Sequence, residues 1–390
     1  MFTTPAALVN LDFQQYLLHP PDHRVTRHPT ARGRVNGRDP AGSRESQSPA
    51  RVPRMLPCAL GAILSDTTLP SGTDGRLPAF HIEAGSIPEA YYLALAAVHF
   101  SGYTLRTQYD RRNPDGTYLD PPGKDARVSI RIRDPFAQPR YPVLSYCERG
   151  KYIAEFLGAK DHLVVPYREL LRKVRAGEEF EATEWPYCYH QRLVAYPRAD
   201  GGTMDQLELI LDKLARDPIT RRAVATTRVP EIDLFMVSDM PCLGEVQLRA
   251  IEDSGGRLVL HMHAMWRSRD LFKAWGDNLI GITNLQARLA ARLAAKTGRE
   301  VLVGPYSESN GSLHIYGQDY STKGMDKFFT RFPDCEPFVR RARTSEFVRD
   351  AEVIPQLQDL LKESTWRFPP EAVRLIEDLI EDYRSGRFVP

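Results

Sequence analysis

The sequence predicts an α+β fold, a mainly antiparallel sheet packed with helices, and three features carry that expectation. The runs "LGEVQLRAIED" (243–253) and "GRLVLHMHAMW" (256–266) read as strands, and the Ser254-Gly255-Gly256 turn between them is a hairpin signal. "ARVSIRIRD" (126–134) alternates Val128, Ile130 and Ile132 with polar residues, as a half-buried strand does. Ser86, followed by Pro88 and "EAYYLALAAVHF", has the N-cap and first-turn proline of a helix.

Residues 19–54 are rich in Arg, Pro, Gly and Ser and poor in aliphatics. Such a segment cannot bury enough apolar surface to offset its ordering entropy, so residues 1–54 are expected to form a disordered extension. The arginine-rich, acid-poor composition also suits a transit peptide, and Met55 offers another start of translation. Order is expected from about Leu77, with "PAFHIEAGS" as a strand, the Ser86 helix, a loop holding "NPDG", and the strand at 126–134. Residues 147–163 read as a helix. "MDQLELILDKLARDP" from Met204 is an amphipathic helix stopped by Pro218, and "RRAVATTRV" is a strand-like run before the hairpin. A long helix over 270–296 and a short strand at "GSLHIYG" (311–317) follow, then helices in the tail from Asp334. The expected division is a catalytic domain over 55–327 and a C-terminal helical extension over 328–390.

A chain of 390 residues can bury a large core, and a net charge of +2 gives no basis for bulk binding to nucleic acid or membrane. The cysteines Cys58, Cys147, Cys188, Cys242 and Cys335 are scattered, odd in number and without CxxC spacing, which argues against a disulfide framework or a zinc site. No apolar run approaches a membrane span and no secretory signal opens the chain, so the expected compartment is the cytoplasm.

In "SDMPCLGEVQ" (238–247), a Pro-Cys pair opens a strand-like run. Alone, Cys242 reads as a small apolar core filler. Its companions suggest chemistry. Arg221 and Arg222 meet at a helix-to-strand junction, while Arg267, Ser268 and Asp270 stand where a strand hands over to a helix. Guanidinium forks and free helix N–H groups both suit phosphate oxygens. His314 and Tyr316 share one face of a strand and can hold hydroxyl groups. These parts suit a nucleophilic thiol beside a phosphate-bearing ligand.

Taken in order, "DPITRRAV", "DMPCLGEVQ", "RSRDLFKAWGDN" and "HIY" resemble the thymidylate synthase family, which carries DPxxRR, Pro-Cys with Gln five residues on, RSxD with Asn eleven residues after the Arg, and His-x-Tyr. "YCYHQRLVAY" followed by "MDQLELILDKL" resembles the family segment before DPxxRR. The wording "RSRDLFKAW" and "PCL" is similar to the archaeal-type and nucleotide-hydroxymethylase branches. The resemblance implies the thymidylate synthase-like fold and a sheet-to-sheet homodimer. It implies that Cys242 adds to C6 of a pyrimidine nucleoside monophosphate, whose C5 then attacks the methylene of 5,10-methylenetetrahydrofolate, a co-substrate, with no metal and no flavin. By the same pattern Arg267 and Ser268 bind the phosphate, Arg267 also activates the thiol, and Arg221 and Arg222 reach phosphate from the neighbouring subunit. Asn278 reads the base edge, His314 and Tyr316 hold the sugar hydroxyl, Gln247 and Tyr189 lie near the nucleophile, and Asp270 meets the folate ring.

Three positions stay open at this level. The general-base glutamate is Glu155 in "YIAEFLGAKD" or Glu148 in "SYCERG". Asp277 is either an exposed helix charge or a carboxylate suited to a cytosine edge, against the uracil edge that Asn278 suits. The family's N-terminal phosphate arginine has only the candidates Arg106, Arg111 and Arg112. The short apolar tail of ordinary members is replaced by "YRSGRFVP", and a changed lid leaves the final step open between hydride, giving methyl, and water, giving hydroxymethyl. The competing functions are thus thymidylate synthase, a hydroxymethylase acting on dUMP, dCMP or CMP, and a non-catalytic nucleotide- or RNA-binding relative.

Overall fold

The computed structural model describes residues 75–144, 147–181, 183–198, 200–236, 240–363 and 367–390, so the expectations for residues 1–54 and Met55 lie outside the described residues. Its first strand, β1 (Ala79–Ala84), buries every second side chain. Ser86 then caps α1 (Ile87–Ser101), its Oγ accepting from Glu89 N at 3.5 Å. β2 (Tyr103–Leu105) and β3 (Gly123–Ile132) follow, with Val128, Ile130 and Ile132 inward. α2 (Arg149–Phe156) is shorter than the helix expected over 147–163, because Gly158 turns left-handed at φ +108° and a 3-10 turn occupies Asp161–Leu163. α3 (Tyr167–Ala176), α4 (Tyr189–Val194) and a small ribbon of β4 (Tyr196–Pro197) and β5 (Thr203–Met204) precede α5 (Gln206–Arg216), which Asp205 caps through Glu208 N at 2.8 Å.

The run at 221–229 yields only β6 (Val224–Thr226), followed by α6 (Pro230–Asp233). The expected hairpin is β7 (Leu243–Glu252) and β8 (Leu258–Trp266), closed by Asp253 N to Arg257 O at 2.9 Å with Gly256 at φ +79°. A two-residue strand, β9 (Arg269–Asp270), delays the long helix α7 to Ala274–Thr297. The strand expected at 311–317 is the end of a much longer β10 (Val301–Ile315). The tail holds α8 (Gly317–Thr322), α9 (Met325–Arg331), α10 (Cys335–Val339), α11 (Ser345–Val348), α12 (Ile354–Leu360) and α13 (Pro370–Arg384), a π turn joining α11 to α12.

The large sheet runs β1-β3-β10-β8-β7-β6, with β2 beside β3 and β9 beside β10. It is mixed. The β2–β3, β3–β10, β7–β8 and β6–β7 ladders are antiparallel, as expected, but β1–β3, β8–β10 and β9–β10 run parallel. Long crossovers explain two of these, since α1 and α7 each carry the chain back before the next strand can pair. The face bearing Ile82, Val128, Val246, Leu260 and Met262 packs under α1 and α7 as one core. The tail helices enter the same core through Val348, Leu357, Leu360, Ile376 and Leu379. Gly150 explains their close approach, for a Cβ there would lie 2.5 Å from Val353 O.

A polar network is set into this core. Arg269 forms an ion pair with Glu308, both fully buried. Glu308 also accepts from Trp275 Nε1 at 2.6 Å, Tyr306 OH at 2.9 Å and Asn310 Nδ2 at 2.9 Å. Arg269 Nη2 donates to Trp275 O at 2.9 Å. A buried pair survives desolvation only when its remaining lone pairs are satisfied, and here both Glu308 oxygens are. The network ties β9, β10 and the first turn of α7 together.

Candidate active site

Cys242 immediately precedes β7, and the β7–β8 register slips between Leu243 and Glu245. Such an irregularity re-aims the residues beside it. The cysteine is half-buried, not disulfide-bonded, and packed against the core. Arg267 clamps this segment from the turn after β8: its amide donates to Cys242 O at 2.8 Å, Nε to Pro241 O at 3.1 Å and Nη2 to Met240 O at 2.5 Å. Arg267 therefore fixes the backbone that presents the thiol. Ser268 lies half-buried in the turn between β8 and β9.

Register then gathers the next group. β9 pairs with β10 so that Asp270 lies beside His314. The His314 and Tyr316 rings stand edge to face at 4.6 Å. Lys273 reaches Asp270 at 3.2 Å and the buried Asp319 at 3.3 Å, and lies 5.1 Å from the Tyr316 ring centroid. Burial raises the Tyr316 phenol, with the Asp270 charge and the Cys242 thiol adding to it. Burial also holds His314 below its ordinary value, with Lys273 and Arg267 acting in the same direction against Asp270, so the imidazole is neutral at pH 7. Burial lifts Asp319 to about 6, the Asp270 charge adding and Lys273 opposing.

A second group forms where α2 packs on α7. Gly281 permits this contact, since a Cβ there would lie 2.7 Å from the Phe156 ring. One turn earlier on α7, Asn278 Nδ2 donates to Tyr152 OH. Glu155, on the same α2, bonds Lys160 Nζ at 3.1 Å. Burial raises the Glu155 pKa, and Lys160 partly offsets the rise. Glu148, the other candidate, forms a surface pair with Lys151 at 2.8 Å. Asp277 is 6% exposed and hydrogen-bonds the Cys147 thiol, so it is no exposed helix charge. Tyr189, at the start of α4, packs its ring 5.7 Å from Phe156 and 5.7 Å from Trp266. Trp266 pairs with Leu243, next to the cysteine, so Tyr189 bridges the two groups.

Three expected residues lie apart. Gln247 is on the opposite sheet face, with Nε2 bonded to Arg221 O at 3.2 Å. Arg221 and Arg222 are exposed before β6. The β6–β7 register sets them beyond Gln247, about seven residues from Cys242, or roughly 20 Å at the rise of a strand. Arg106, Arg111 and Arg112 are engaged locally: Arg111 forks onto Asp120 at 2.7 and 2.6 Å, Arg106 donates to Asp120 O at 2.7 Å, and Arg112 to Gly116 O at 2.9 Å.

Sequence reasoning missed Tyr152, Lys160, Lys273 and Asp319. Tyr152 and Glu155, three apart on one short helix, were the available signal, because that spacing shares a face. Lys273 and Asp319 carried none, their contact joining the residue before α7 to α8. Two surface depressions lie elsewhere, one beside α3 lined by Arg168, Leu171, Arg172 and Arg175, the other on the outer sheet face lined by Gln247, Arg249, His261 and His263. Among the described residues no helix is long and apolar enough to cross a membrane.

The family described as "Thymidylate synthase" matches residues 169–363, half of the chain. The match takes in Cys242, Arg267, Asn278 and His314, while Glu155 falls before it. A protein named "Putative thymidylate synthase" from Methanococcoides burtonii is 30% identical over 188 residues, covering 44% of this chain and 78% of that one. A "Deoxyuridylate hydroxymethyltransferase" of Bacillus phage SP01 is 32% identical over 145 residues, covering 35% of this chain and 34% of that one. Among solved structures, a thermostable thymidylate synthase A from Bacillus subtilis aligns with a TM-score of 0.43 at 19% identity, over 61% of this chain and 82% of that one.

Proposed function

Because the chain belongs to the thymidylate synthase family, we propose that it transfers a one-carbon unit from 5,10-methylenetetrahydrofolate to C5 of a pyrimidine nucleoside 5′-monophosphate, and that dUMP converted to dTMP is the reaction its site fits best. The co-substrate supplies the methylene and, for a methyl product, the hydride, leaving as dihydrofolate. Cys242 adds through sulfur to C6, making C5 nucleophilic, and leaves again once C5 has lost its proton. Arg267 holds the Met240–Pro241 carbonyls that carry this thiol, and Ser268 with Arg267 binds the phosphate.

The observation that carries the reading is the bond from Asn278 to Tyr152. It fixes an amide, able to donate and accept at once, against the helix α2 that also carries Glu155, and such a group suits the N3–H and O4 edge of uracil. Glu155, its pKa raised by burial, is the general acid and base that moves protons at the base. His314 and Tyr316 hold the sugar hydroxyl, Tyr189 closes the wall beside the nucleophile, and Asp270 meets the folate ring. Arg221 and Arg222 lie too far along β7 to serve their own chain's phosphate. That distance, with the partly exposed apolar Met265 and Ile251 on the same sheet face, supports a homodimer in which the pair reaches the neighbouring site.

A second reading has its own support. The buried Asp277 adjoins the base reader, and a phage relative carries the name of a hydroxymethyltransferase. Water in place of hydride at the exocyclic methylene yields a hydroxymethyl product and releases tetrahydrofolate. One experiment separates the readings: purified enzyme with methylenetetrahydrofolate and dUMP, dCMP, UMP or CMP in turn, products weighed by mass spectrometry. A gain of CH2 on dUMP with dihydrofolate formed is expected. A gain of CH2O moves the assignment to hydroxymethylation, and no gain on any nucleotide refutes both.

A further inference from the structure

Beneath His314 runs a chain of polar groups that the reaction above does not use. Ser312 Oγ donates to Asp125 Oδ2 at 2.9 Å and lies 3.1 Å from His314 Nδ1. Asp125 and His314 are register partners across β3 and β10, so their side chains share a face. At the far end His314 Nε2 is buried and, among the described residues, has no hydrogen-bond partner.

A serine hydroxyl has one proton. With that proton given to Asp125, the Ser312 oxygen can only accept from His314, so the imidazole must carry its hydrogen on Nδ1. Nε2 is then a bare lone pair in a buried position, an arrangement that costs free energy until a donor arrives. We propose that Asp125 and Ser312 are positioning residues that lock His314 as the Nδ1–H tautomer, so that the site takes a ligand offering a free hydroxyl donor at Nε2 and rejects one lacking it or carrying an anionic ester there. This rests on the reading that His314 faces the nucleotide sugar, and makes an unesterified 3′-hydroxyl a requirement.

The surroundings agree. Asp270 on β9, Lys273 before α7, Arg267 in the β8–β9 turn and Tyr316 between β10 and α8 are ionisable groups about His314, and burial keeps its ring neutral among them. Tyr103 on β2 pairs with Asp125, and Lys124 precedes it on β3. Burial lifts Asp125 to about 6, against the Ser312 hydrogen bond that lowers it, so the carboxylate accepts above that pH and the relay can reverse below it.

The test pairs spectroscopy with binding on the full chain. At pH 7.5, 15N-labelled protein should show a His314 ring protonated at Nδ1 and bare at Nε2, assigned by its loss in His314→Gln. Calorimetry should show dUMP binding about tenfold tighter than 2′,3′-dideoxyuridine monophosphate, the scale of one buried hydrogen bond. Ser312→Ala should erase both the tautomer preference and the discrimination, and Ser312→Thr, which keeps the hydroxyl, should restore both. An Nε2–H tautomer, or equal affinity for the two nucleotides, overturns the relay and leaves the proposed reaction standing. Binding of neither nucleotide overturns the proposed reaction and the hydroxyl assignment together.

Discussion

The two halves of the site are built on different physics. Where α2 meets α7, Asn278, Tyr152 and Glu155 are held by short-range contacts inside one subunit, walled by Phe156 and Tyr189. At the strand ends, Arg267, Asp270, Lys273, His314 and Asp319 form a charged cluster whose additional arginines, Arg221 and Arg222, stand exposed on another part of the sheet. The first half is ready-made, and in its low-dielectric surroundings an amide discriminates by hydrogen-bond pattern. The second gains affinity from charge and, in the proposed homodimer, is complete only when another copy contributes. Recognition of the base should therefore depend on single side chains, whereas recognition of the phosphate should depend on assembly and salt.

Mutation can break that contrast. Cys242 stands between the halves, and Cys242→Ser should reduce turnover by on the order of 10⁴-fold or more while nucleotide affinity holds. Unchanged turnover in steady-state assays would remove the covalent mechanism. On the ready-made side, Glu155→Gln should lower kcat by about 10²–10⁴-fold, the span of a general acid–base group. Because burial raises Glu155, its ionised form exists only above the ordinary glutamate range, so the acidic limb of the kcat profile should lie correspondingly high. Lys160→Ala should move that limb further up, since Lys160 opposes the shift; a limb that stays in place would deny Glu155 the role.

Asn278→Asp should shift the ratio of kcat/KM for dUMP over dCMP toward cytosine by about 5–150-fold, the worth of one buried polar group left unpaired. A constant ratio would mean that Asn278 does not read the base. For the assembled side, Cys242→Ser chains mixed with chains carrying Arg221→Ala and Arg222→Ala should recover about a quarter of wild-type activity, because half of randomly mixed dimers hold one intact site. No recovery would confine the arginine pair to its own subunit or to no site.

How much of this was legible differs along the chain for physical reasons. The β7–β8 hairpin was plain because its inward residues are apolar and its turn is glycine-rich. Most of β10 was not, because Gly304, Pro305, Glu308 and Asn310 break the apolar alternation. Glu308 and Asn310 are nevertheless buried, and the Arg269 network, assembled from three elements, makes that tolerable together with the bond from Asn310 Nδ2 to Val128 O at 3.2 Å. The site divides the same way. Cys242, Arg267, Ser268, Asp270, Asn278, His314 and Tyr316 stand at fixed short spacings and could be read as wording. Tyr152 touches Asn278 across 126 residues, and Asp125 touches Ser312 across 187, so neither had a local signature. Gln247 shows the converse: its place in the motif is regular, but strand alternation turns it to the outer face of the sheet.

The central claim is a carbon–sulfur bond between Cys242 and pyrimidine C6. The most direct measurement is incubation with methylenetetrahydrofolate and 5-fluoro-dUMP, whose C5 fluorine cannot leave as a proton does, followed by peptide mass mapping. The account predicts a stable adduct of nucleotide and folate on the peptide containing Cys242, absent from Cys242→Ser. An adduct on another residue, or none although dUMP is turned over, would contradict it.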